Sequence, residues 1–441
     1  MYITIAGAGT VGYSLAKILS NEHSVIVVDK DFDKLSKISE ELDVLTIHGD
    51  IERPQTYKNV DIPKVELFIA VTDSDEANLL STLIIEDVVE VKRKLVRLKN
   101  DDFLTSGILE KLSINYAVFP NLATAKKTQS LLEFPRANNV KSFYQTDCKL
   151  VSIRVDGLDE GDYLVKDFIS SKVTVVGIER DKEFFIPNRE TKIEQNDLIY
   201  FCGDGNTIRE VAKRVDNLMP QKIEKVVIFG ANDLAQKIAN ELLEKNIKIK
   251  MVDKSQELCK EALHNLEGRV EVINSAYEDH KLFEEEGLKS ADMVIASYYS
   301  DEKNIIKCIE AKEYGISKVV AVNNDKDYYD LMHTLGVIVV RGSKASAYYS
   351  ILEHLSSNSI ITQRHFCGGR GVLLIRKIYS NSELIGKAPN KFKVEGAGVL
   401  IIRDKEISSL QEEVFLKEGD VIIVFGKSIH KEELEKWIYK L

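Results

Sequence analysis

Cysteine is scarce in this chain of 441 residues: Cys148, Cys202, Cys259, Cys308 and Cys367 form an odd, scattered set with no C-x-x-C. That excludes a disulfide framework and reads as buried thiols in a reducing compartment. Histidine is also sparse. The eight residues, His48, His264, His280 and His333 among them, show no H-x-x-x-H or H-E-x-x-H spacing, so spacing points to no metal site. No apolar run approaches the roughly 18–20 residues that cross a bilayer, and Met1–Gly12 lacks a basic n-region and cleavage site. A soluble, cytoplasmic protein is the expectation. Positive charge is in deficit, 60 Lys and Arg against 70 Asp and Glu, and a net charge of −10 repels phosphate backbones. Nucleic acid is thereby excluded as the expected partner. What remains is a globular composition, 44% hydrophobic and 29% charged, long enough for two to four domains.

The chain repeats itself. Gly7 in "ITIAGAGTVGYSLAKILS" answers Gly230 in "VVIFGANDLAQKIANELL" 223 positions on, and Asp29 in "VIVVDKD" answers Asp253 in "KIKMVDKS" at 224. "LFIAVTDSDEANLL" (Leu67–Leu80) aligns with "MVIASYYSDEKNII" (Met293–Ile306) at 226. "KLVRLKND", "IERDKE" and "QNDLIYFCG" have counterparts in "KVVAVNND", "IIRDKE" and "EGDVIIVFG" at 223 or 224. So many blocks at one offset establish a tandem duplication.

Each copy changes character partway. The first 133 residues alternate short β-rich runs (Tyr2–Ala6, Ser24–Val28, Asp43–Ile47, Leu67–Val71, Lys94–Leu98, Tyr116–Phe119) with helical stretches such as Val11–Leu19 and Phe32–Leu42. That predicts a doubly wound parallel sheet of Rossmann-like α/β type. Residues 140–217 instead show alternating strands, with turns at "DGLDEGD" (Asp156–Asp162) and "EQND", and a closing helix, which predicts a small α+β domain. Four domains are expected: 1–134 and 222–356 Rossmann-like, 140–218 and 362–441 α+β.

"GAGTVG" follows the first strand and opens a helix. Gly7 permits a tight turn, Gly9 lets backbone approach a pyrophosphate, Gly12 lets helix and strand pack, and the helix N-terminus faces the anion. Ala8, Thr10 and Val11 complete the turn. Asp29, followed by Lys30, closes the second strand where a carboxylate accepts ribose hydroxyls and repels a 2′-phosphate, favouring NAD or ATP over NADP. Gly49 and Asp50 in "HGD" end the third strand near an adenine edge. Val71, Thr72 and Asp73 end the fourth, where they line ribose and phosphate, while Asp75 and Glu76 favour the next helix dipole. Arg97 ends the fifth and neutralises phosphate. The second copy departs at these places: Gly9 becomes Asn232, Gly12 becomes Ala235, "HGD" becomes "INS", Thr72 and Asp73 become Tyr298 and Tyr299, and Arg97 becomes Ala321. Side chains are expected to fill its phosphate channel, leaving a frame kept for its surface.

Catalysis is not expected. The small domains carry no His/Asp/Arg cluster that spacing would assemble beside a nicotinamide. Tyr13 and Lys17 form a Y-x-x-x-K pair, but on the first helix just after the phosphate turn.

The duplicated order, with "GAGTVG", "VVDKD", "HGD", "AVTDSDEANLL" and "INYAVFPNLATA", resembles the TrkA family. Its members are regulatory subunits of bacterial Trk potassium uptake systems built from N-type and C-type domains that regulate potassium conductance (RCK domains). The resemblance spans essentially the whole chain. It implies NAD(H) and ATP or ADP binding in the N-type domains through Gly7, Gly9, Gly12, Asp29, Asp50, Thr72, Asp73 and Arg97. It also implies a cytoplasmic homo-dimer or tetrameric ring held peripherally on the membrane by a Trk-type potassium pore subunit. Thr10 stands where some relatives carry a phosphate-binding arginine. The alternatives are a regulator of another cation channel or exchanger, and a soluble NAD-dependent oxidoreductase.

Overall fold

The computed structural model describes the chain except residues 22, 59–63, 143–147, 158–162, 218–219, 277–280, 357–360, 368, 379, 381, 383–384, 389–396, 405, 410–413 and 441. His280 and most of the Asp156–Asp162 turn lie outside the described residues.

Short runs of three to six residues form the first sheet, with the inner strands Leu67–Ala70 and Lys94–Arg97 buried on both faces. Its strands are β1 (Tyr2–Ala6), β2 (Ser24–Asp29), β3 (Leu45–His48), β4 (Leu67–Ala70), β5 (Lys94–Arg97) and β6 (Tyr116–Val118), in the order β3-β2-β1-β4-β5-β6, all parallel. Helices α1 (Thr10–Leu19), α2 (Phe32–Glu41), α3 (Pro54–Lys58), α4 (Asp75–Val88), α5 (Ile108–Lys111) and α6 (Pro120–Glu133) connect or follow them. One face buries Ile3, Ile5 and Ile69 under Val11 and Leu15. The other buries Val28, Phe68 and Val96 with Ile85 and Phe119. Strand order reverses between β1 and β4, and ligands of open α/β sheets bind at the carboxyl ends flanking such a point.

A five-stranded antiparallel sheet follows: β7 (Asn139–Ser142), β8 (Cys148–Arg154), β9 (Val173–Arg180), β10 (Glu183–Phe185) and β11 (Leu198–Asp204), ordered β10-β9-β11-β8-β7 and closed by α7 (Gly205–Ala212). The edge strands β7 and β10 are four and three residues long and escaped the sequence reading. Runs that short lack a measurable period.

The second half repeats both topologies. Strands β12 (Lys225–Phe229), β13 (Lys248–Asp253), β14 (Glu271–Asn274), β15 (Met293–Ala296), β16 (Lys318–Asn323) and β17 (Ile338–Arg341) take the order β14-β13-β12-β15-β16-β17. Helices α8 (Asp233–Leu243), α9 (Gln256–Asn265), α10 (Leu282–Glu285), α11 (Asp301–Glu313), α12 (Tyr329–Thr334) and α13 (Ser343–Ser356) accompany them. Strands β18 (Ile361–Phe366), β19 (Gly371–Lys377), β20 (Ala397–Arg403), β21 (Glu406–Ser409) and β22 (Val421–Lys427) then form a sheet ordered β18-β19-β22-β20-β21, followed by α14 (Lys431–Lys440).

Compact units do not follow chain order. One comprises Met1–Lys126 with Arg341–Leu355; the other comprises Lys127–Val340 with Ser356–Leu441. Most of α13, though it ends the second Rossmann domain, therefore belongs with the first sheet, where Ala347 and Ile351 are fully buried beside Leu15 and Ala16. Within that unit α6 and α13 meet through matching positions of the two copies. Ser343 Oγ donates to Asn121 Oδ1 at 2.5 Å, and the Thr124 and Ser346 hydroxyls lie 2.9 Å apart. In the other unit the two small sheets share a core, with Phe366 edge-on to Phe184 at 5.2 Å and tilted against Tyr200 at 5.0 Å.

Candidate functional site

The three glycines of the first turn do different jobs. Gly7 sits at φ +113°, a conformation L side chains rarely adopt. A Cβ on Gly12 would stand 1.8 Å from the Gly7 carbonyl oxygen, so helix and turn are in direct contact there. Gly9, by contrast, has ordinary extended backbone (φ −69°, ψ −174°), and nothing lies within 4 Å of where its Cβ would be. Open space is what this glycine provides. It precedes α1 without a side-chain cap, so the first-turn N–H groups of that helix are left to whatever occupies the space.

That space is part of a cleft of about 630 Å³ at the carboxyl ends of β1, β2, β4 and β5. Gly7, Gly9, Thr10, Val11, Asp29, Lys30, Asp50, Val71, Thr72, Asp73 and Arg97 all line it. Ala8, Gly12 and Gly49 do not; they sit behind the lining, Ala8 and Gly49 through backbone bonds to Asp29. Residues outside the sequence reading complete the wall: Lys34, Ile51, Glu52, Ser74, Ala77 and Lys344. Lys34 follows Asp29 in the first turn of α2, a position readable as cleft-facing once the strand end was placed. Lys344 comes from α13, more than 200 residues away, and only the return of that helix to the first sheet brings it here.

Charge in the cleft is mixed. The Arg97 side chain is buried, with Nη1 donating to Asp73 Oδ1 at 3.0 Å and to the Thr72 carbonyl at 3.3 Å. Its Nε is buried with no partner, an unfilled donor beside the place an anion would take. Burial pushes the Asp73 carboxyl up, but its hydrogen bond to Arg97 and the charges of Arg97, Lys99 and Lys344 leave it below the ordinary carboxylate range. Uncapped helix amides, an orphaned guanidinium N–H, Lys344 and Lys34, the last paired with Asp31 at 2.9 Å, fit a phosphorylated ligand. Asp29 stands against the glycine turn among them.

Asp29 also has a task independent of any ligand. Its Oδ2 accepts the Ala8 N–H at 2.6 Å and its Oδ1 the Asp31 N–H at 2.9 Å, bracing the glycine turn against the end of β2. Asp253 repeats the brace in the second copy, accepting from Ala231 and Ser255, both at 2.9 Å. The "SDE-x-N" motif divides likewise. Asn78 accepts the Thr72 N–H and donates to the Thr72 and Arg97 carbonyls, while Asp75 accepts the N–H groups of Lys99 and Asn100. Asn304 and Asp301 make the same bonds to Tyr298, Val322, Asn324 and Asp325. Asp75, read from sequence as a partner of the helix dipole, is thus also a clasp between strand ends.

What the second copy changes is the space. Asn232 takes Gly9's place with nearly the same backbone, φ −69° and ψ 172°. Its Oδ1 accepts the Ala235 N–H at 3.0 Å and its Nδ2 donates to the Ser297 carbonyl at 2.6 Å. The first turn of α8 is thus capped from within the protein, at the Ala235 amide. Ala235 is fully buried where Gly12 would be. The expectation that both tyrosines fill the channel needs correction. Tyr298 packs on the core of that domain, whereas Tyr299 is 83% exposed and fills nothing. Asn232 is the plug.

The Y-x-x-x-K pair is not a catalytic arrangement. The Tyr13 hydroxyl donates to Glu41 on the surface, and Lys17 Nζ stands 6.0 Å from the ring centroid.

The fold and the turn define a tandem of Rossmann-type domains, each followed by a small five-stranded sheet. The TrkA-N domain profile matches residues 3–120 and again 226–341, and the TrkA-C domain profile matches residues 147–216. The chain belongs to the TrkA family of potassium-transport proteins and not to a family of enzymes. It is 27% identical to the Trk system potassium uptake protein TrkA homolog of Archaeoglobus fulgidus over 99% of both chains. It is 26% identical to Trk system potassium uptake protein TrkA of Halomonas elongata, over 96% of this chain and 95% of the relative. Among solved structures, the GsuK RCK domain superposes with a TM-score of 0.61 at 16% identity, covering all of this chain and 95% of that one. The GsuK channel bound to NAD gives 0.59 at 17% identity, covering all of this chain and 79% of that one. Among the described residues no helix is long and apolar enough to cross a membrane.

Proposed function

We propose that the chain is the cytoplasmic, nucleotide-binding regulatory subunit of a Trk-type potassium uptake system, binding NAD(H) or an adenine nucleotide in its first Rossmann domain only. The observation that carries this reading is the contrast at one backbone position: Gly9 leaves the first turn of α1 without a side-chain cap beside a 630 Å³ cleft, and Asn232 caps the first turn of α8 through the Ala235 amide. The names of the potassium uptake relatives support the transport role. Structures of the GsuK channel bound to NAD and to ADP, which share the fold, support the ligand class. The four-domain division expected from the repeat accompanies this reading, with domains 1 and 2 one N-type and one C-type, domains 3 and 4 the same again.

In this reading the α1 amides, Arg97, Lys34 and Lys344 hold phosphate, and Asp29 and Asp50 hold the sugar and base end. The bound nucleotide acts as an effector, so its chemistry is charge and shape. Gating follows from linkage: a nucleotide moves the membrane pore subunit only if one ring shape binds it better than another. Switching a gate from mostly closed to mostly open takes about 5 kcal/mol. The four protomers of a tetrameric ring, each supplying about 1–2 kcal/mol, reach that total, whereas a homo-dimer needs about 2.5 kcal/mol from each.

Calorimetric titration of NADH, ATP and ADP into the whole protein tests the site. Saturation near one nucleotide per chain is expected. Asp29→Ala weakens it and Asp253→Ala, which removes the same brace in the plugged copy, leaves the stoichiometry unchanged. Two equal sites per chain, or none, would overturn the reading. Co-purification with the membrane pore subunit tests the partner.

A further inference from the structure

Away from the cleft, three side chains from three distant segments of the larger unit converge on a point. They are Glu179 in β9, His333 in α12 and Cys367 at the turn between β18 and β19, and their ligating atoms all lie within 4.8 Å of one another. His333 Nε2 stands 2.5 Å from Glu179 Oε2, and the Cys367 thiol donates to the same oxygen at 2.9 Å. Arg370 holds the other oxygen, with Nη2 at 3.1 Å from Oε1. Glu179 and Cys367 are buried and His333 is half-buried. Cys367 also adopts φ +53°, a conformation in which a non-glycine residue is uncommon. Its side chain points into the cluster from a backbone position where glycine would be the easier choice.

A buried carboxylate could be satisfied by less. Here one oxygen takes both a thiol and an imidazole while the other is fixed by a guanidinium, and a thiol, an imidazole and a carboxylate are the three ligand types of zinc. We propose that Glu179, His333 and Cys367 form a site for a Zn²⁺-type divalent cation. Hard cations such as Ca²⁺ and Mg²⁺ call for oxygen ligands and are poor matches for sulfur and nitrogen. Ligand atoms around tetrahedral zinc lie about 3.3–3.5 Å apart. The ion enters by drawing Glu179 Oε2 away from its two neighbours by less than about 1 Å, while the His333 and Cys367 ligand atoms, within 4.8 Å of each other, settle to the same spacing. The bonds that form are metal–sulfur, metal–nitrogen and metal–oxygen; the bond that breaks is the Cys367 S–H, whose proton leaves to solvent. His333 binds through the Nε2 lone pair with its proton on Nδ1, Arg370 keeps the carboxylate oriented, and water completes the tetrahedron. An ion held this way ties β9, α12 and the β18–β19 turn together.

The test uses the full-length protein stripped with EDTA and titrated with Co²⁺, a coloured substitute for Zn²⁺. Expected are one Co²⁺ per chain with near-ultraviolet thiolate-to-cobalt absorption, displacement by Zn²⁺, and a higher melting temperature with Zn²⁺ bound. Cys367→Ser keeps a hydrogen-bonding hydroxyl and the fold, judged by circular dichroism, but abolishes the absorption. His333→Gln lowers Co²⁺ affinity at least tenfold. NADH titration is unchanged in both variants, which separates this site from the nucleotide cleft. Failure of the wild type to take up stoichiometric Co²⁺, or a thiolate band that survives Cys367→Ser, overturns the proposal and leaves a hydrogen-bonded carboxylate.

Discussion

Gly9 and Asn232 share a backbone conformation within about 15° and differ in one side chain, so each is a template for mutating the other. Gly9→Asn introduces a residue that its backbone accepts without strain and that has room around it. Its carboxamide caps α1 as Asn232 caps α8. The expected outcome is an unchanged or slightly raised melting temperature, since Asn over Gly at an N-cap contributes only a few tenths of a kcal/mol. NADH affinity falls at least about tenfold, or about 1.4 kcal/mol. Thermal melts and calorimetry on the same preparation separate the two effects; undiminished NADH affinity would show that the uncapped helix end is not the phosphate seat. At this scale the glycine turn, Asp29 and Arg97 were legible because each sits at a strand end fixed by period and by repeat. The structural half of their work was not. Asp29 bracing Ala8 and Asp75 clasping Lys99 leave no pattern that distinguishes them from ligand-facing carboxylates.

Between elements, the two copies of β5 show how one residue type is reused. Lys94 is buried and pairs with Glu86 at 2.6 Å. Lys318, one register position earlier at the start of the matching strand β16, is fully buried and donates to three carbonyls just past the end of α6: Phe134 at 3.1 Å, Pro135 at 3.0 Å and Ala137 at 2.9 Å. Burial pulls the Lys318 ammonium down to about 7, with Asp216 pulling the other way. The unfolded chain then binds a proton that the folded one does not, between about pH 7 and the ordinary lysine value near 10.4. This group's contribution to stability is therefore present above the unfolded value and lost as pH falls toward 7. Lys318→Met leaves the carbonyls unpaired and is expected to cost about 2 kcal/mol. The deficit relative to wild type widens as pH rises above 7, by up to about 1.4 kcal/mol per unit. Denaturant melts across that range check it, and a pH-independent difference would mean that Lys318 stays charged in the fold. The order of strands was legible from alternation and turn signals, but not what a buried lysine does, because its partners are carbonyls of another segment.

For the molecule as a whole, the duplication was the clearest message of the sequence and the exchange of segments the least visible. A helix carries a period and a face but no address, so nothing in "SKASAYYSILEHLS" says which sheet it covers. Glu179, His333 and Cys367 escaped for the same reason: 154 and 34 positions separate them, and no ligand spacing survives such gaps. Lys344 is where this matters for function. It is exposed, it lies near enough to lower the Asp73 carboxyl, and it faces the cleft. Lys344→Ala is expected to weaken ATP and ADP about three- to tenfold, with the loss shrinking as salt is raised because the charge is screened, and to leave the melting temperature nearly unchanged. Titration at two ionic strengths decides this; equal affinity at low salt would remove Lys344 from the site.

That the last helix of the second Rossmann domain roofs the first sheet also bears on how the two halves can change. The Leu15–Ala16 patch of the first domain takes its cover from Ala347 and Ile351, residues of the far half of the chain. The rear half therefore cannot be discarded without stripping that cover. Selection on the forward pocket reaches, through Lys344 of α13, into the rear half of the chain.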